Sequence, residues 1–400
     1  MNHRRRQRRS GAFIALLLSG ILLTGCWDRT EINDLAIVLA TGIDYVDDKV
    51  QLTSQIFIPR KGGNGAESGG SGQGGSSSGV TLIRTAEGSN IAEALNRLQR
   101  KVARNMFWGH CEVVVISEQA GKQGLREYID FLLRYPQFRE HAYVFSSSEP
   151  ARELLALLDP LERSSAESLR EMANMGLGTR VTVLKLAKSI EGPGQSAILS
   201  RMRVLPADPG QNRYTTTPYV KGLSLYKNGR YVNTVEEPLT VGVLLLANEL
   251  NNLIMPLKMK DEKGSFSIRV IEMKAKLVPR IIDEVWNMQI NIQAKGEVVL
   301  DTTDISLAES TRMDELERVW AERLENLANK ALLLAQKKLK ADLFDFSVAF
   351  RRRYPKQWKK QVHNWETRFS ELDVKMDVQA HIVRTGKSIG PQGITGQDSD

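Results

Sequence analysis

The 400-residue chain is 42% hydrophobic and 26% charged, with a formal net charge of +8. Five of its 55 Lys+Arg lie among the first ten residues, where there is no acid, so the chain from residue 26 carries 50 basic against 47 acidic groups; that balance of +3 makes no case for nucleic acid and leaves only weak attraction to anionic lipid. Two cysteines give no disulfide framework, so the body must be held by its own hydrophobic core, and the length allows two or three domains.

Arg4, Arg5, Arg6, Arg8 and Arg9 precede an almost unbroken apolar run from Ala12 to Leu23, followed by Thr24, Gly25 and Cys26. A basic start, an apolar stretch of about 7–15 residues and small residues at its end describe a secretory signal, and the run falls short of the ~20 residues a spanning helix needs. Leu23-Thr24-Gly25-Cys26 is similar to a bacterial lipobox, in which the cysteine thiol receives a diacylglyceryl group and the chain is cut just before it. Residues 1–25 therefore read as a removed signal peptide, with Cys26 as an S-diacylglycerol cysteine whose new amine is open to acylation, for instance by palmitate. Two acyl chains anchor stably where one binds only marginally. The plainer reading, a simple anchor or ordinary signal with Cys26 incidental, leaves four fitting positions to coincidence. Arg8-Arg9 is not continued as a twin-arginine signal would be.

An apolar segment at 35–40 leads into Thr41-Gly42-Ile43-Asp44, and Val50 to Ile58 alternates as a strand does. Residues 61–79 hold nine Gly and five Ser, too little apolar surface to order the stretch, and Val80 to Arg84 resumes a strand, so the tract reads as a disordered hairpin loop. Helices are expected at about 90–101 (Ile91, Leu95 and Leu98 on one face), 122–134 (Leu125, Ile129, Leu132 and Leu133 inward), 149–158 and 164–175, interleaved with strands at about 111–117 and 141–146. This alternation places helices on a sheet. Pro206, Pro209, Gly210, Asn212 and Pro218 mark a boundary. Asn228-Gly229 between two strand-like runs signals a hairpin, and strands follow at about 266–278 and 285–299. Val241 to Ala247 is a buried helix or strand. From 312 to 340, Leu316, Val319, Trp320, Leu324, Leu327, Ala331, Leu334, Ala335 and Leu339 recur at helical steps. A second helix begins at Pro355, with Trp358, Val362, Trp365 and Phe369 on one face, before an alternating strand from Leu372 to Val383.

Catalytic constellations are missing from this sequence. The five histidines make no His-Glu-x-x-His helix, no Gly-x-Ser-x-Gly elbow occurs, and no phosphate-binding loop is present. Gly192-Pro-Gly194-Gln-Ser-Ala197 contains a proline and precedes a strand, so it reads as a turn. Cys111, in the run Cys111 to Ile116, reads as a buried inert thiol, and His110 as a strand-edge residue rather than a ligand. Trp358 and Trp365 at helical spacing read as core, with Arg351-Arg352-Arg353 and Lys359-Lys360 on the wet side; a partner surface there is the sharper alternative. No catalytic residue, cofactor or metal ligand is assigned, the covalent diacylglycerol on Cys26 apart.

Gly25-Cys-Trp-Asp-Arg-Thr-Glu-Ile-Asn-Asp34 resembles the start of the Ger(x)C family, the C subunits of spore germinant receptors, whose lipobox cysteine is followed by Trp-Asp/Asn-x-x-Glu-Ile/Leu. The likeness continues through Gly42-Ile43-Asp44, Trp108-Gly109-His110, Phe131 to Pro136 with Arg139, Leu339 to Phe344, Arg353 to Trp358, Trp365 and Arg384-Thr-Gly386, covering roughly residues 10–387 in order. The resemblance implies a non-catalytic lipoprotein on the outer face of the spore inner membrane, assembled with the A and B subunits of a germinant receptor and needed for nutrient-triggered germination. It implies an α+β fold of three mixed α/β domains, with helices packed on mixed or antiparallel sheets. The expected divisions are an N-terminal domain at 26–205, a β-rich middle domain at 206–300, a C-terminal domain with the long helix at 301–387 and a loose tail at 388–400. Trp27, Asp28, Arg29 and Glu31 match the family motif, and their closeness to the anchor makes them candidate partner or membrane contacts. Two other readings stand beside this one: a solute-binding lipoprotein of a transporter, which calls for two similar lobes, and an exported cell-wall or lipid enzyme, which calls for a cleft of carboxylates or histidines.

Overall fold

The computed structural model describes residues 34–58, 81–251, 253–259, 263–303, 307 and 310–384. The expected signal peptide, Cys26 and the motif after it, the Gly/Ser loop and the tail lie outside the described residues.

Leu35–Val46 (β1) and Lys49–Phe57 (β2) form an antiparallel hairpin through Asp47 and Asp48, both with positive φ, and Thr81–Gly88 (β3) pairs with β2. Ile91–Gln99 (α1) starts at Asn90, whose side chain accepts from the Glu93 amide, and buries Ile91, Ala94 and Leu98. Asn105–Phe107 (β4) pairs parallel with the first residues of β1, and Val113–Ser117 (β5) pairs parallel with its middle. The expected helix at 122–134 is two helices, Glu118–Gln123 (α2) and Arg126–Arg134 (α3). Ser117 caps the first, and Gly124 at φ 126° breaks the chain between them. Tyr143–Ser147 (β6) precedes Ala151–Leu155 (α4) and Ser165–Asn174 (α5). A helix that the sequence reading missed, Val183–Glu191 (α6), leads into Ser196–Val204 (β7).

Pro218–Lys227 (β8) and Arg230–Val235 (β9) form the expected hairpin. The first sheet runs β3-β2-β1-β5-β6-β7-β8-β9, with β4 also on β1, making nine strands. Its centre, β1-β5-β6-β7, is parallel, and an antiparallel hairpin closes each side. Val113 to Ile116 are each 0% exposed, as a central parallel strand covered on both faces requires.

The second sheet comprises Ile254–Leu257 (β10), the long hairpin Phe266–Ile282 (β11) and Val285–Asp301 (β12), and the final strand Asp373–Arg384 (β13) parallel to β12. Leu239–Leu246 (α7) packs against Ser310–Leu333 (α8). The expected helix to residue 340 continues past α8 as a π-helical stretch, Leu334–Leu339, which buries Ala335 and Gln336 side by side. Phe346–Arg353 (α9) was not expected, and the helix from Pro355 is divided into Pro355–Gln361 (α10), a 3₁₀ turn and Trp365–Glu371 (α11). The expected burial of Trp358, Trp365 and Phe369 holds through these breaks.

The sheets divide the chain elsewhere than the boundaries expected near 206 and 301. β8 pairs with β7 from Pro218 to Lys227, which carries the first sheet to Val235, past the proline-rich stretch. β13 pairs with β12 along eleven registered positions, from Asn287↔Asp373 to Glu297↔Arg384, so segments assigned to a middle and a C-terminal domain share one sheet and one core. Ile198, Leu223, Leu225 and Val235 of the first sheet belong to that core too. Leu225→Ala, at a site 0% exposed, is expected to cost about 2–5 kcal/mol and to shift one urea transition, read alike by circular dichroism and tryptophan fluorescence.

Candidate functional site

Cys26, Trp27, Asp28, Arg29 and Glu31 lie outside the described residues, so the site begins where the described chain enters the body at Asp34. Leu35, Ala36 and Ile37 pair with Asn105, Met106 and Phe107, which fixes the entry at the strand-start end of the parallel sheet. Trp108 follows, 1% exposed and stacked on Phe138 with ring centroids 4.8 Å apart, and its backbone N–H donates to Gln137 Oε1 at 3.2 Å. Phe131 and Tyr135 complete this aromatic cluster, so the Trp108 and Phe131–Pro136 motifs meet in space and brace the entry point. His110 stands outside it, exposed, edge-on to Phe107 at 5.9 Å.

Gly42 and Asp44 act on one neighbour, α4. A Cβ at Gly42 would stand 2.8 Å from Ala151 Cβ, so only glycine lets the helix lie this close. Asp44 then accepts from the Ala151 amide at 2.7 Å and the Arg152 amide at 3.3 Å, holding the first turn of α4. Burial raises its carboxyl above the ordinary value, against the pull of these hydrogen bonds.

Asp342, in the Leu339–Phe344 motif, does the same for α9. Its Oδ1 accepts from the Phe346 amide at 3.0 Å, and its Oδ2 accepts from the Ser347 amide at 2.7 Å and from Trp365 Nε1 at 3.1 Å. Burial raises this carboxyl as well. One side chain thus ties the start of α9 to the tryptophan of α11, and Trp358 packs on Trp365 with centroids 5.0 Å apart. The π-helical stretch adds a second tie: Gln336 Nε2 donates to the carbonyls of Phe369 at 2.9 Å and Leu372 at 3.0 Å. The sequence reading singled out both motifs without seeing these roles. For Asp342, a carboxylate four residues before the apolar helical start at Phe346 is the signal that could have found it; Asp44 stands 107 residues before Ala151, and no local signal marks that pairing.

Chemically, this arrangement holds elements together. Asp44 and Asp342 spend their oxygens on N–H donors inside the body. Cys111 is 0% exposed with its thiol pushed up to about 12 by burial, and its Sγ donates to the Val113 carbonyl at 3.5 Å, as an inert buried thiol would. Among the described residues no group of three or more His, Cys, Asp or Glu could hold a metal ion. The residues from Gly192 to Ala197 form the expected turn into β7. A groove of about 430 Å³ lies between the 176–178 turn, β8 and α7, lined by Leu177, Tyr219, Lys221, Glu236, Val241 and Leu244. None of the motifs singled out in the sequence reaches it.

Asp342→Ala leaves three buried N–H donors without an acceptor and is expected to cost about 3 kcal/mol in urea unfolding. Asp44 gives a pH signature. A carboxyl raised by folding holds its proton more tightly in the folded chain, so its contribution is complete below the unfolded value of about 4 and is lost as pH rises through the folded value. Asp44→Asn lacks that loss, so the stability of the native chain relative to this variant should fall as pH rises above about 4, as urea midpoints would record.

Residues 28–204 match the family described as spore germination protein N-terminal domain, and residues 221–386 the family described as spore germination B3/GerAC like, C-terminal. The chain is 26% identical over 396 residues to spore germination protein KC of Bacillus subtilis, covering 94% of this chain and 96% of that one. It is 30% identical to the putative spore germination protein YfkR of the same organism, over 71% of this chain and 73% of that one. The crystal structure of the GerBC protein aligns with a TM-score of 0.55 at 17% identity, covering 86% of this chain and 97% of that one, and shows the same α+β fold. With both halves matched in order, the chain belongs to the Ger(x)C family of spore germination proteins.

Proposed function

We propose that this chain is a non-catalytic subunit of a nutrient germinant receptor, anchored through diacylglycerol on Cys26 to the outer face of the spore inner membrane and assembled there with A and B subunits. The observation that carries the reading is the lipobox Leu23-Thr24-Gly25-Cys26 set directly before a body whose relatives are spore germination proteins over nearly its whole length. Among the described residues no helix is long and apolar enough to cross a membrane, which fits attachment by lipid. The buried carboxylates are occupied in fastening helices, which fits a scaffold. A solute-binding lipoprotein of a transporter would bring two similar lobes, whereas here a nine-stranded mixed sheet meets a four-stranded one. Trp27, Asp28, Arg29 and Glu31, next to the anchor, are the first contacts to test with partner subunits.

Cys26→Ala in a spore-former tests the anchor. The variant is expected to lose labelled palmitate, leave the membrane fraction and slow germination on single nutrients at least tenfold. Normal membrane association with normal germination would refute the assignment.

A further inference from the structure

The net charge of +3 conceals an uneven distribution. From Phe346 to Trp365 there is no acidic residue, and Arg351, Arg352, Arg353, Lys356, Lys359 and Lys360 are all exposed. The ion pair nearest in sequence uses the carboxylate just past this segment, Glu366, bound to Lys227 at 2.8 Å, and none of the six pairs with a carboxylate among the described residues. Opposite them, Trp358 is buried against Trp365, so α10 is fixed with its lysines outward.

The topology places these helices at a definite end of the molecule. β1, β5, β6 and β7 are parallel, so Leu35 and Ser196 start strands at the same end of the first sheet. Lys227 pairs with Ser196 in the sheet, donates to the Leu339 carbonyl at 3.2 Å and bridges to Glu366 of α11. The helical cluster therefore sits at the end where the chain enters. Arg100, Lys101 and Arg104, just before Asn105 and its partner Leu35, add three exposed cations there. Cys26 is nine residues before Leu35, a reach of at most about 30 Å.

We propose that the basic surface of α9 and α10 rests on anionic phospholipid headgroups, so that the body stands on the membrane with its strand-start end down. The proposal rests on the anchoring of Cys26 put forward above. A tether at this end holds the surface within reach of lipid, and each basic side chain near an anionic bilayer strengthens contact about fivefold. Six such charges outweigh the mobility that a short tether leaves.

The test supplies the tether chemically. The chain from Cys26 onward is coupled through that thiol to a maleimide lipid in vesicles, the buried Cys111 being out of reach of the reagent. Acetylation of individual lysines is then followed by mass spectrometry on phosphatidylglycerol-containing and pure phosphatidylcholine vesicles. Lys356, Lys359 and Lys360 are expected to react at least fivefold more slowly on the anionic vesicles. The difference should vanish in 0.5 M salt, where screening is short-ranged, and in the variant R351E/R352E/R353E. Lys49, exposed at the start of β2 opposite the far end of β1, should react equally on both. Equal rates at the three lysines on both lipids, or slowing of Lys49 instead, would overturn the proposal. So would protection that arises only when solubilised spore membrane proteins are added, which would assign the surface to an acidic protein. A failure of lipidation in cells would leave this experiment unaffected, so the two readings fail separately.

Discussion

The strands β7 and β8 are buried on both faces over most of their length, and the rest of the molecule is arranged around that constraint. Side chains alternate along a strand. Ala197, Leu199 and Tyr226 enter the core of the first sheet, while Ile198, Leu223, Leu225 and Val235 enter the core shared with the second sheet. An edge hairpin ordinarily shows one face to water. Here that face is covered by α7 and the long helix with its sheet, so neither half has a finished surface of its own at the junction. The family segments meet across residues 205–220, but the packing does not divide there.

Two buried carboxylates complete the architecture by the same device. Asp44 stands near the end of β1 and Asp342 just past the π-helical stretch, and each accepts backbone N–H groups of the short helix packed beside it. A carboxylate buried without partners would be costly, and these two have donors at every hydrogen bond recorded for them. Both sit inside segments through which the sequence resemblance to the family runs. Those motifs therefore read as instructions for placing α4 and α9.

Much of this was legible in the sequence because the hydrophobic periods are strong. The alternation at 50–58, the Asn228-Gly229 hairpin and the stripe from Leu316 to Ala335 each correspond to an element of the expected type. What was missed was short or locally strained. Helix α6 carries Val183, Leu186, Ala187 and Ile190 at helical spacing behind a Thr182 cap, but it spans only nine residues. The π-helical stretch preserves the apolar stripe while inserting Gln336 into the core, a change that spacing alone does not register. Strand pairing across the expected divisions was the larger feature not legible in the sequence. A proline-rich stretch announces a loop, and strand pairing across that loop is a long-range fact with no local signal. Of the candidate site, the motifs were visible; their joint action on particular helices was not.

Strand polarity also orients the molecule relative to the point where the chain enters the body. β1 is twelve residues long, so about 40 Å separates Leu35 from the turn that carries Asp47 and Asp48. Asp47, Asp48 and Lys49 are exposed at the far end of that strand; the near end carries the basic helices and the loop from Arg100 to Arg104. Because β1, β5, β6 and β7 all point the same way, separating the basic helices from the chain's entry would require moving that entry to the other end of the sheet. The parallel centre, buried at 0% exposure from Val113 to Ile116, is the part of the fold that tolerates such a change least.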